Sequence, residues 1–65
     1  MNTYVITYAL PEVKHEERAS SHQFKRKSDE EATAYMEEFE RENGVGTVWS
    51  LYRQWPTKKV MFLRK

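Results

Sequence analysis

The stretch SDEEATAYMEEFERENGVG, residues 28–46, marks both ends of a helix and the face it buries. Ser28 is placed to cap the first turn, and Glu31 three residues later completes the S-x-x-E pattern of a capping box. Asp29, Glu30 and Glu31 put negative charge at the positive end of the helix dipole. Ala32, Tyr35, Met36 and Phe39 follow at i, i+3, i+4 and i+7, which makes one apolar stripe. Asn43-Gly44 stops the helix, with Gly44 suited to a positive φ. Glu37 and Arg41 stand at i and i+4 in the favourable order. Glu40 and Glu42 oppose the dipole in the last turn, at about 0.3–1 kcal/mol each, and read as weakly selected surface charge.

The segments on either side of this helix read as strands. TYVITYAL, residues 3–10, is β-branched and aromatic; Tyr4, Ile6, Tyr8 and Leu10 share one face. Pro11 ends it, and EVKHEERA, residues 12–19, is an unpatterned loop or strand extension. SSHQFKRK, residues 20–27, is a second, polar strand suited to a sheet edge. GTVWSLYRQW is a third, with Trp49 and Leu51 on one face and Val48, Ser50 and Tyr52 on the other. WPTK turns the chain into KVMFLRK, whose consecutive apolar residues predict a central strand. The expectation is one α+β domain, residues 1–65, of ββαββ order. It has a four-stranded mixed sheet in the order 2-1-4-3, with the helix on one face against Ile6, Trp49, Leu51 and Phe62.

Size narrows the possibilities further. A chain of 65 residues buries only about 60% of its unfolded surface, and this one has no cysteine to supplement its core or bind zinc. No apolar run reaches a membrane span, and MNTYVITYAL lacks the basic lead of a signal peptide. A cytoplasmic protein is expected. Net charge is +1, unevenly divided. Residues 29–43 carry seven carboxylates against Arg41, a net −6, and the rest carry ten basic and three acidic groups, a net +7. Such sorting makes a bipolar surface that steers charged partners.

The aromatic first strand, the S-D-E-E-A helix start and the W-x-L-Y-R third strand together resemble a loose group of small phage and bacterial proteins. The resemblance covers most of the chain. The group shares no common activity, and some small phage proteins of this shape inhibit host defence systems. The resemblance therefore implies a phage-type accessory or inhibitor, and it carries no functional residue over.

No catalytic, cofactor or metal motif emerges from the residues. His15 and His22, seven apart with Glu16 and Glu17 between, match no ligand spacing and read as solvated loop residues. Glu30-Glu31 and Glu37-Glu38 lie on an exposed helix face with nothing to bury them, and read as solvated charge and not as an acid–base pair. A chain this short has little room for a substrate pocket, so a non-enzyme without cofactor or small-molecule substrate is expected.

Surfaces remain. One helix leaves one sheet face open, and Val5, Val48, Tyr52, Met61 and Leu63 are expected there. That apolar face predicts a protein partner or a homodimer. The alternative is a single-stranded nucleic-acid module using Lys25, Lys27, Arg53, Trp55 and Lys58, with aromatic rings to stack on bases. The sequence pI of about 8.0 is low for a dedicated nucleic-acid domain.

Overall fold

A computed structural model of the chain describes residues 1–9 and 20–64. The order is β1 (Asn2–Tyr8), β2 (Ser20–Arg26), α1 (Asp29–Asn43), β3 (Val48–Trp55) and β4 (Lys59–Leu63). The ββαββ reading therefore stands: one helix lies against one face of a four-stranded sheet. Pro11, His15 and the rest of the expected 12–19 loop lie outside the described residues. No helix is long and apolar enough to cross a membrane.

The helix forms where its punctuation places it. Ser28 has extended backbone, and its Oγ accepts the amide of Glu31 at 3.2 Å. Gly44 ends the helix at φ 116°, with its amide on the Glu40 carbonyl at 2.7 Å. A side chain at that φ would be strained, which explains glycine there. Ala32 and Met36 are buried on the sheet, with Tyr35 and Phe39 packed beside them. Arg41 pairs with Glu38 at 2.6 Å, one residue away from the expected Glu37, on an exposed surface where such a pair contributes little.

The strand order is β2-β1-β3-β4 and every pairing is antiparallel, which corrects the expected mixed 2-1-4-3 sheet. The helix carries the chain from β2 across β1, and residues 44–47 are a short link that sets β3 down directly beside β1. Leu51 and Val48 of β3 are fully buried opposite Ile6 and Tyr8. β4 is consequently an outer strand, short and largely exposed, with Met61 and Phe62 only half-buried.

The core lies wholly between helix and sheet: Tyr4, Ile6, Phe24, Ala32, Met36, Val48 and Leu51. Three register irregularities decide which other residues join it. Thr7 pairs with Ser50 but Tyr8 with Val48, so Trp49 is an extra residue in a bulge. Val48 thereby turns to the helix side, and Trp49 leaves the core at 38% exposure, reversing both expected positions. Thr3 pairs with Trp55 and Tyr4 with Arg53, which moves Trp55 to the open face. Leu51 pairs with Phe62 and Tyr52 with Val60, which puts Val60 on the open face while Met61 packs against the core.

The cap has a measurable consequence. Ser28→Ala removes the acceptor of a first-turn amide and should cost about 1 kcal/mol of stability. Urea unfolding checks it, and an unchanged midpoint would show that the hydroxyl does not hold the helix start.

Candidate functional site

Pairing across the four strands lays out the open face in rows. One holds Lys25, Thr3 and Trp55; the next holds Gln23, Val5, Tyr52 and Val60; the third holds Ser21, Thr7, Ser50 and Leu63. Gln23 donates to Gln54 at 3.0 Å, bridging β2 and β3 across β1. Val5, paired with Gln23, is buried at 6% exposure although no helix covers it. Trp55, Val60 and Leu63 are 58%, 61% and 65% exposed, so half of the six large exposed apolar residues among the described ones share this face. Lys58 places its ammonium 5.8 Å from the centre of the Tyr52 ring.

The expected face is therefore partly relocated. Tyr52 and Leu63 are where alternation places them, and Val5 is on that side but already covered. Val48 and Met61 belong to the core side. Trp55 and Val60 take their places, and no sequence signal separates them from ordinary alternating strand residues.

The expected nucleic-acid residues do not form one cluster. Lys25, Trp55 and Lys58 associate with the open face, and Lys27 lies exposed in the connection before the helix. Arg53 is on the opposite side and fully engaged. Its Nη1 donates to both oxygens of Asp29 at 3.0 Å, and its Nε and Nη2 donate to the carbonyl and hydroxyl of Thr57 at 2.9 and 3.0 Å.

Two polar clusters explain charges that the sequence leaves unexplained. At the helix start, Asp29 accepts from the Tyr4 hydroxyl at 2.7 Å and from Arg53, with Lys59 at 3.8 Å. The Tyr4 bond, helped by the Arg53 guanidinium, holds the Asp29 carboxyl below its ordinary value despite partial burial. Burial pushes the Tyr4 phenol up, because the neutral form is favoured away from water. At the helix end, one Glu40 oxygen accepts the amides of Gly46 and Val48 at 3.1 and 3.2 Å and the Arg64 guanidinium at 2.6 Å. Arg64 Nε also donates to the Val48 carbonyl at 2.8 Å. The basic partner that makes Glu40 tolerable against the dipole is thus in the chain itself, and Glu40 is a structural clamp.

His22 is likewise corrected. It stands on β2 facing the helix, half-buried, with Nε2 2.6 Å from the Tyr35 hydroxyl and its ring stacked near Phe24, Tyr35 and Phe39. Arg26 caps the stack, 4.4 Å from the Tyr35 ring centre. This is packing at the helix–β2 seam. Among the described residues there is no pocket and no group of three metal-ligating side chains.

Comparison with protein-family models, with curated proteins and with solved structures finds no match. The S-D-E-E-A and W-x-L-Y-R stretches meet in one ion pair, in which Asp29 of the first holds Arg53 of the second.

The depressed Asp29 pKa stabilises the fold above the ordinary carboxylate value and ceases to do so as pH falls through the lowered one. Thermal melts between about pH 5 and about pH 2 should show wild-type stability falling more steeply than that of Asp29→Asn. Parallel curves would remove Asp29 as a source of acid sensitivity. Glu40→Ala leaves two amides and a guanidinium without their acceptor, and should lower stability by about 2 kcal/mol, with Glu40→Gln costing less. An unaltered urea midpoint for Glu40→Ala would show that the clamp carries no net stability.

Proposed function

We propose that the protein is a non-catalytic interaction module that binds a protein partner through the open face of its sheet, by surface complementarity. The observation that carries this reading is the concentration of Tyr52, Trp55, Val60 and Leu63 on one face that no described element covers. A solvated antiparallel face ordinarily presents polar side chains, and apolar groups gathered on one mark a contact surface. The face is a broad pleated surface without a pocket among the described residues, which suits another macromolecule better than a small substrate.

A second reading has one observation in its favour. Tyr52 and Trp55 share their face with Lys25 and Lys58, a combination of rings and cations that can stack on and hold a single strand of nucleic acid. The engagement of Arg53 by Asp29 and Thr57 weakens it.

The test is affinity capture from a lysate of the natural source, with and without nuclease, using wild type and the double variant Val60→Glu, Leu63→Glu. Both substituted residues are more than half exposed and lie on an outer strand, so the fold should survive, as thermal melting would verify. The expected result is a nuclease-resistant set of proteins retained by wild type and lost by the variant. Equal retention by the two would remove this face from the interaction. Capture that disappears with nuclease would establish the nucleic-acid reading instead.

A further inference from the structure

All seven carboxylate side chains among the described residues lie on α1, which covers one face of the sheet. Among the described residues, the register leaves the opposite face without any. Its charged members among the described residues are Lys25, opposite Thr3 beside Trp55, and Lys58, over the Tyr52 ring. Neither lysine makes an ion pair among the described residues. Four basic groups are engaged by helix carboxylates, Arg53 and Lys59 by Asp29, Arg64 by Glu40 and Arg41 by Glu38, and Arg26 lies over the Tyr35 ring. What is uncompensated on the open face is therefore positive charge at its Trp55 end, next to an aliphatic strip formed by Val60 and Leu63.

We propose that this face takes an acidic, aliphatic-bearing segment of another protein, with carboxylates on Lys25 and Lys58 and apolar side chains against Tyr52, Val60 and Leu63. The inference rests on the reading of the open face as the interaction surface and adds the chemistry of its partner. A second copy of the chain fits poorly. A symmetric face-to-face pair would bring lysines onto a surface whose described residues include no carboxylate to answer them, and like charges in such contacts are unfavourable. Nucleic acid also fits less well. Affinity for a phosphate backbone grows with the number of phosphates neutralised, and this face offers two free lysines. Exposed Val60 and Leu63 have no counterpart on a polynucleotide backbone, whereas they match the apolar side chains of a polypeptide. The net −6 of residues 29–43, on the other side of the sheet, repels a long polyanion but has little effect on a short acidic segment.

The experiment uses the full chain and three fluorescent probes in anisotropy titrations at low salt. The first is a dodecapeptide of alternating glutamate and leucine, the second its lysine-for-glutamate counterpart, and the third a single-stranded DNA dodecamer of mixed sequence. The glutamate peptide should bind, the lysine peptide should not, and the DNA should bind more weakly than the glutamate peptide. Lys25→Glu with Lys58→Glu should weaken the glutamate peptide by about tenfold or more, and added salt should weaken it in wild type. Val60→Glu with Leu63→Glu should abolish it. Absence of binding by the glutamate peptide, or equal binding of the lysine peptide, overturns the inference. If the lysine variant binds as wild type does while the Val60, Leu63 variant does not, the acidic chemistry is wrong but the face remains the interaction surface. Tighter binding of the DNA overturns both. Sedimentation of wild type alone supplies the last outcome. A dimer broken by Val60→Glu and Leu63→Glu would assign the face to a second copy and overturn the inference.

Discussion

One helix can cover one face of a four-stranded sheet, and most of this structure follows from that constraint. The apolar stripe of α1, Ala32, Tyr35, Met36 and Phe39, packs on Tyr4, Ile6, Phe24, Val48 and Leu51, and the core lies between the two layers. Without disulfides, that layer is the main source of apolar burial. The carboxylates of α1 are consequently gathered on one side of the molecule. The other face of the sheet is left with side chains that nothing in the described chain covers.

The helix is tied to the sheet at both ends by ionic contacts of unlike character. At its start, Asp29 gathers Tyr4 from β1, Arg53 from β3 and Lys59 from β4, so one carboxylate spans three strands. Its position in the first turn adds the dipole to the same attraction. At its end, Glu40 opposes the dipole but is compensated by two backbone amides and Arg64. Arg64 returns just beyond β4 to reach it, so the clamp also holds the last strand of the sheet in place.

The same arrangement divides the roles of the charged residues. Groups facing the helix are consumed in holding the fold, while Lys25 and Lys58 are left over beside exposed rings and aliphatic side chains. Among the described residues the carboxylates all lie with α1 on one side of the sheet, together with most of the basic groups, and Lys25 and Lys58 stand on the other. Among the described residues, Val5 is the one buried apolar residue on the open face, next to the Gln23–Gln54 bridge.

Local signals carried the elements. The Ser28 cap, the Gly44 stop, the apolar stripe of α1 and the four strands appear where the sequence places them, because capping, periodicity and β-propensity act between near neighbours. The division of charge was equally legible, since it needs only counting. Strand order was not. It depended on which strand of the second hairpin the short link after α1 lays beside β1, and the consecutive apolar run of β4 pointed the other way. Nor were the faces of Val48, Trp49, Trp55, Val60 and Met61 legible. Each bulge adds one residue to one strand, and a shift of one residue exchanges the two faces from that point on. Asp29 with Arg53 and Glu40 with Arg64 are both 24 residues apart, so no local pattern announces them. The sequence by itself determined the helix, the strands and the division of charge. The tertiary structure alone decided which apolar side chains and which lysines share the uncovered face, because that depends on cross-strand register, which is set between residues distant in the chain.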